Sequence, residues 1–561
     1  VKTYEAVARA FAAEGVTTVF ALMGDANIQW YVTMAELGVS MVATRHETGA
    51  VAMADGYAQS GGGVGVCSVT SGPGLLQSGN ALANAARSGV SLVMVAGDTP
   101  STAVDNPADI DQRRFVESCG ATFVALRSPA TALEDVRRAF YRARADRCAV
   151  VLNAPMDVQA AEYPKEWTYR PTTELLGPPQ AVRADSGAVD RLCDLIASSH
   201  RPVVLAGRGA MLSTEASNLC RLAQRIGALT ATTMPAKGWL DEDPFAVGVV
   251  GANVSAVAEE LFAEADLVLA FGSTLDRFTV MGRGRTFPRA TIVSINTQGA
   301  ARAGTAPVDQ YLTSDAGQAA SAILQSLEKA GLQKEGFRTS RVRDQLAAAV
   351  AKPATSEPGR LDPREVMQIL ERHLSRAEHH VVIGSGHFFS WPIMYLRRPT
   401  GGRFIFTHYI GSIGLTLATG IGAAVANPDH TVVVIEGDGS MMTSLPELET
   451  AARLGIRLLV VVLNDEAFGA EWYKARTFGL APELALIPTP SFDEVARALG
   501  GDGARAVDAD SLESALKDFD VNGGVRVIDA RIDGQIACGM YRQLHFNLPN
   551  EGPHQREPLE S

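Results

Sequence analysis

Residues 431–465 read TVVVIEGDGSMMTSLPELETAARLGIRLLVVVLND. A β-branched apolar run, 431–435, meets Gly437-Asp438-Gly439-Ser440. A helical pattern follows, and a second apolar run, 458–463, ends in Asn464-Asp465. Two such runs around a helical segment predict a β–turn–α–β unit with parallel strands. The unit brings Asp438 and Asn464 to the ends of two strands, the edge at which open α/β sheets bind ligands. Glycines there let the backbone approach a phosphate, Ser440 supplies a hydroxyl donor, and oxygen ligands suit Mg2+ or Ca2+. Asp-Gly alone is ordinary turn chemistry. Its pairing with Asn464 across one strand-to-strand unit points to a metal-held diphosphate.

The rest of the chain repeats this alternation. Its 561 residues suit about three to four domains. Hydrophobic content of 46% against 20% charged residues is that of a water-soluble globular protein. Net charge is −12 and no long basic run occurs, which argues against nucleic acid as the main partner. Six scattered cysteines form no CxxC or Cys/His cluster, so neither a zinc site nor a disulfide framework is expected. The opening VKTYEAVARAFAAEG reads as an amphipathic helix without a signal-peptide core. No apolar stretch reaches membrane-spanning length, so a cytoplasmic enzyme is expected.

Two polar, proline-bearing stretches divide the chain into blocks 1–162, 185–330 and 362–533. Each alternates apolar runs with helical patterns, which predicts an α/β fold of three mainly parallel sheets with helices on both faces. Residues 534–561 are expected to form a lid or a surface tail.

The first block contains ATRHETGAVAMADGYAQ (43–59), where Glu47 opens a helix after a strand. A carboxylate at a helix N-terminus is favoured by the dipole alone. Its partner segment, SVTSGPGLLQSGNALANAARSGVSLVMVAGD (68–98), carries a second glycine-rich turn around Gly72.

Taken in order, RHE-x-GA-x-x-MA-x-GYA, VTSGPG, GSIG and GDGS…ND resemble the acetolactate synthase / pyruvate decarboxylase superfamily of thiamine-diphosphate (ThDP) enzymes, over essentially the whole chain. The resemblance implies pyrimidine-binding, central and diphosphate-binding domains in that order. It implies that Glu47 hydrogen-bonds the aminopyrimidine ring nitrogen and so activates the cofactor, which carries the hard chemistry. It implies that Gly411 accepts the 4'-amino proton and that Ile413 wedges beneath the cofactor, although Ile413 also suits a core position. Asp438, Asn464 and the Glu466 carbonyl would hold Mg2+. Gly72, Gly437, Gly439 and Ser440 would line the cofactor, with Gly386 and His387 adding diphosphate contacts; His387 equally suits a structural histidine. In this superfamily the two halves of a cofactor site come from different subunits, which implies a homodimer or dimer of dimers.

Two acids depart from the synthase pattern. Asp25 in ALMGDANIQWY (21–31) and Glu471 in NDEAFGAEWYK (464–474) match carboxylates of decarboxylase-like members, where an acid protonates the product carbon. The plain alternatives are a turn aspartate and a Glu471–Lys474 surface pair. The loop STAVDNPADIDQRRFV (101–116) lacks the decarboxylases' paired histidines, and its Gln112 is closer to synthase and lyase members. Asn27, Gln112, Phe468, Glu471 and Trp472 suggest a partly polar, aromatic-lined pocket.

The expected reaction is decarboxylation of a 2-oxo acid followed by protonation or carboligation. The alternatives are cleavage of a 2-hydroxyacyl-CoA or oxalyl-CoA, or a non-catalytic ThDP-binding relative. The central block, with LAGRGAML (205–212), FGSTLDRF (271–278) and SINTQ (294–298), is expected to hold FAD, ADP or nothing. Asn296 stands where an acid would hold a ribose hydroxyl, which weakens the nucleotide reading.

Overall fold

The computed structural model describes residues 1–177, 181–281, 286–297, 308–348, 356–375, 378–397, 399 and 401–545. Three six-stranded sheets follow one another along the chain, and all the strand pairs described are parallel. The first holds β1 (Thr18–Ala21), β2 (Ser40–Ala43), β3 (Gly65–Val69), β4 (Leu92–Asp98), β5 (Thr122–Ala125) and β6 (Ala149–Pro155). The second holds β7 (Pro202–Ala206), β8 (Leu229–Thr232), β9 (Ala246–Val249), β10 (Leu267–Phe271), β11 (Thr291–Asn296) and β12 (Gln310–Thr313). The third holds β13 (His379–Ile383), β14 (Phe404–Phe406), β15 (Thr431–Gly437), β16 (Leu458–Asn464), β17 (Asp502–Ala506) and β18 (Val525–Arg531). Helices cover both faces, so the central strands are apolar runs rather than alternating ones: β15 and β16 are buried at every position.

The outer sheets share one strand order, β2-β1-β3-β4-β6-β5 and β14-β13-β15-β16-β18-β17. The order turns back between β1 and β3, and between β13 and β15. Such switch points open a crevice at the carboxyl edge, because the loops on either side leave in opposite directions. In the third sheet the crevice lies between the Gly386 turn and the Gly437–Gly439 turn. In the first it lies between the Asp25 turn and the Gly72 turn. The middle sheet has the order β12-β11-β10-β7-β8-β9, the arrangement of dinucleotide-binding folds.

Two buried helices, Glu47–Ser60 and Thr416–Ala426, join the outer sheets into one core. They run antiparallel and nearly touch. A Cβ on Gly56 would collide with the Thr419 carbonyl, and one on Gly422 with the Met53 carbonyl. Only glycine lets two backbones approach so closely.

The segment expected as a lid or tail packs in part as core. Cys538, Met540 and Tyr541 are buried against the third sheet, and the Tyr473 hydroxyl donates to the Gly534 carbonyl at 2.6 Å. Residues 546–561 of that expectation lie outside the described residues.

Candidate active site

Asp438 opens the short helix after β15, and Asp465 directly follows β16. Parallel pairing of the two strands brings these carboxylates into one buried pocket. Burial pushes both well above the usual carboxylate range, and the charge of Asp465 pushes Asp438 further. Asp438 Oδ2 is buried without a hydrogen-bond partner. His387 Nε2 stands 3.7 Å from Asp465 Oδ2. Two buried carboxylates do not both ionise unless a cation joins them, so these residues fit a divalent metal.

The other two expected ligands face elsewhere. Asn464 turns its amide to Asp529 Oδ1 at 2.8 Å and Thr489 Oγ1 at 3.2 Å, and accepts the Glu466 N–H at 3.1 Å. Successive strand residues point to opposite sides, so when Asp465 faces the pocket Asn464 faces away. The Glu466 carbonyl accepts the Ile487 N–H at 2.8 Å, and its carboxylate binds Arg360 at 2.6 Å and Arg531 at 3.2 Å. Asp465 therefore stands beside Asp438 where Asn464 was expected. The quoted motif contained it; the register of the strand end was the missing signal.

Aromatic rings press on the glycines of the same crevice. A Cβ on Gly437 would lie 2.9 Å from Phe388, and one on Gly439 would lie 2.7 Å from Phe468. Gly386 sits at φ +152°, in a region that favours glycine. Ser440 does not offer the free hydroxyl expected of it: it donates to the buried Glu436 and accepts the Gly414 N–H at 2.7 Å. Burial raises the Glu436 carboxyl to about 7. Gly411 adopts φ +76°, and Ile413 is 37% exposed at the tip of its turn. His387 is buried, which lowers its pKa to about 4, and its ring lies 5.5 Å from Tyr473 and 6.2 Å from Tyr541. Glu471 lies in the first turn of the Gly469–Thr477 helix and pairs with Lys474 at 3.1 Å; 61% of its side chain stays accessible.

On the first sheet, Glu47 begins its helix half-buried, beside the glycine turn. A Cβ on Gly74 would lie 3.6 Å from its Oε1. Glu447 anchors this N-terminus by accepting the Arg45 and His46 N–H groups at 3.0 and 3.1 Å. Gly72, at φ +54°, packs on the Ala108 carbonyl. Asp25 stands exposed in the turn after β1. Asn27 is structural: it accepts the Gly24 N–H and donates to Leu22 O and Ser68 Oγ. Gln112, expected to touch substrate, is also consumed internally. Its Nε2 donates to Gly97 O and Asp98 Oδ1, its Oε1 accepts from Asn153, and it is 3% exposed.

Antiparallel packing separates the two halves of the expected cofactor site within one chain. Glu47 lies nine residues before Gly56, whereas Ile413 lies six residues before Thr419. Glu47 is the first residue of its helix and Thr416 the first of the other, so at the helical rise these two N-termini extend in opposite directions from the contact, by about 14 and about 5 Å, and stand on the order of 20 Å apart along the helices, with the Gly411–Ile413 turn just before Thr416. Phe468, Phe478, Leu480, Leu484, Leu486 and Ile487 meanwhile remain exposed beside the third-sheet crevice.

In the central sheet the turns that follow β7 and β10 pack closely on each other. A Cβ on Gly207 would collide with the Gly272 carbonyl, and Asn296 Nδ2 donates to Ser273 O at 3.2 Å. These glycines have a packing reason that requires no nucleotide. Part of the expected FAD or ADP site, including Gln298, lies outside the described residues.

Three family models match the chain. The thiamine pyrophosphate enzyme N-terminal TPP-binding domain covers residues 1–117, the central domain 189–323, and the C-terminal TPP-binding domain 384–530. Full-length similarity extends to several enzymes. A probable acetolactate synthase large subunit of Methanocaldococcus jannaschii is 26% identical, over 96% of this chain and 93% of the relative. Sulfoacetaldehyde acetyltransferase of Alcaligenes xylosoxydans xylosoxydans is 28% identical, over 89% and 87%. A probable 2-ketoarginine decarboxylase of Pseudomonas aeruginosa is 29% identical, over 94% and 93%. With the repeated sheet topology and both glycine-lined crevices, these matches establish that the chain belongs to the thiamine-diphosphate-dependent enzymes of the acetolactate synthase / pyruvate decarboxylase superfamily.

Proposed function

We propose that this enzyme is a Mg2+-dependent 2-oxo acid decarboxylase that releases an aldehyde. The observation that carries the reading is the buried Asp438–Asp465 pair, with the accessible carboxylate of Glu471 on the helix that follows. Asp438 and Asp465 are the residues that would hold Mg2+, and the Gly437–Gly439 turn offers its backbone to a diphosphate. Thiamine diphosphate, when bound, supplies a nucleophilic carbon and the electron sink that decarboxylation needs.

The chain's own residues orient the substrate and move protons. Glu47 holds a proton at the pyrimidine ring nitrogen. Phe388 and Phe468 keep water from the diphosphate turn. Glu471 would supply the proton that completes the aldehyde, with Lys474 beside it to orient the carboxyl. Asp25, on the other sheet, completes the acidic wall of the pocket.

The site is shared between two copies of the chain. The antiparallel helices send Glu47 and the Gly411–Ile413 turn of one chain towards opposite ends of the contact, which supports a reading in which each Glu47 serves a partner's third-sheet crevice. The exposed apolar residues 468–487 are of the kind that such an interface covers.

The test is an assay of CO2 and aldehyde release with Mg2+, ThDP and a panel of 2-oxo acids from pyruvate to long and cationic side chains. Aldehyde formation that stops on metal removal supports the reading. A carboligated product without free aldehyde makes the enzyme a synthase instead. Turnover of an acyl-CoA in place of every 2-oxo acid overturns the substrate class.

A further inference from the structure

The 408–414 turn carries Gly411 and Ile413, yet its backbone is held from outside its own sheet. The Tyr409 N–H donates to Asn84 Oδ1 at 3.1 Å. Ser412 Oγ accepts from Asn80 Nδ2 at 2.6 Å. Asn80 and Asn84 stand one turn apart on the Gly79–Ser88 helix of the first block, so a single helix face grips the turn. Behind Asn84 lies Asp55 of the Glu47 helix. Asp55 Oδ2 accepts from Asn84 Nδ2 at 3.5 Å, and Oδ1 accepts from Ser88 Oγ at 3.1 Å. Asp55, Asn84 and Ser88 are all buried. Arg208 of the central block reaches the same place, donating to the Gly89 carbonyl at 3.3 Å.

An amide has one donor end and one acceptor end, so its orientation is set by its neighbours. Asp55 as a carboxylate only accepts. It therefore fixes the Asn84 NH2 towards itself and leaves the Asn84 oxygen facing the Tyr409 N–H. Without that carboxylate, Asn84 is free to flip and present NH2 to N–H, which breaks the contact. Resting on the cofactor reading above, we propose that Asp55 is a positioning residue: through Asn84 it sets the backbone of Tyr409, and with it the Gly411–Ile413 turn against the cofactor. Burial raises Asp55 only to about 6, so it is an acceptor at neutral pH.

The experiment compares wild type, Asp55→Asn, Asn84→Ala and the exchanged pair Asp55→Asn/Asn84→Asp. Each full-length protein, saturated with Mg2+, is measured for ThDP affinity, the near-ultraviolet circular dichroism of the bound cofactor, kcat, KM and thermal midpoint. Both single variants are expected to lose about tenfold or more in ThDP affinity or kcat, with a changed cofactor dichroism band. The exchanged pair, which retains one carboxylate and one amide in the network, is expected to recover most of that loss. Single variants that keep ThDP affinity, kcat and the dichroism band within twofold overturn the proposal. So does an exchanged pair that recovers its thermal midpoint but not its kcat, affinity or dichroism band. A wild type that fails to bind ThDP refutes the cofactor reading itself, an outcome distinct from both.

Discussion

Gly56 and Thr419 meet backbone to backbone: a Cβ on Gly56 would collide with the Thr419 carbonyl oxygen. Their contact fixes the antiparallel pairing of the two helices that join the outer sheets. A side chain there forces the helices apart over a core shared by two domains. Gly56→Val is expected to destabilise by about 1–3 kcal/mol and to lower the thermal midpoint by several degrees. An unchanged midpoint in differential scanning calorimetry would contradict this packing.

Asp465 and Asn464 are expected to separate cleanly in a metal experiment. Asp465→Asn removes a pocket carboxylate and weakens Mg2+, so Mg2+ with ThDP should raise its midpoint much less than that of wild type. Asn464→Asp sets a second carboxylate against Asp529 and should destabilise the ligand-free protein, by on the order of 2–4 kcal/mol. Thermal melts with and without Mg2+ and ThDP decide it. If Asn464→Asp leaves the ligand-free midpoint intact while Asp465→Asn keeps the full metal response, the assignments are reversed.

Much of this was legible in the sequence, and the failures have a common cause. Long apolar runs such as those in β15 and β16 announce buried parallel strands. Less apolar or very short strands carry no such signal: β17 reads DGARA, β13 begins with two histidines, and β14 spans three residues. Glycine motifs located both outer crevices, because a turn that must approach another backbone admits nothing else. Polar residues at strand ends were harder. Asn464, Ser440 and Gln112 have the right chemistry, but one residue of register decides whether such a side chain faces a ligand or its own fold. Asp55 sits inside a recognised motif, yet its partners Asn84 and Tyr409 are brought to it only by the tertiary fold.

Glu471 carries a kinetic prediction. Glu471→Gln keeps the size of the side chain and removes its proton donor. Aldehyde release should slow by about 100-fold or more in kcat, with little change in KM. Steady-state kinetics on a decarboxylated substrate checks this, and a rise confined to KM would mean that Glu471 only binds substrate.

His380 gives the protein an acid-sensitive element. Its ring is buried, stacks on His430 at 5.1 Å and lies near Arg403, and burial lowers its pKa from about 6.5 to about 4. The unfolded chain therefore binds the proton first. The stabilising contribution is full above about pH 6.5 and is lost as pH falls towards 4, with a limit of roughly 3 kcal/mol. His380→Gln should flatten that part of the stability profile in urea unfolding between pH 4 and 7. An equal slope in both proteins would rule out His380 as its source.

On the proposed reading each site joins Glu47 of one chain to Asp438 of another. Glu47→Gln and Asp438→Ala are each expected to be inactive alone. Unfolded together and refolded as a mixture, they form hybrid dimers in which one site of the two has both native residues. Decarboxylase activity should return to about a quarter of the wild-type value, since about half of the dimers are hybrids. A mixture as inactive as its components, with hybrids verified by mass spectrometry, would place both residues in one chain's site and contradict the account.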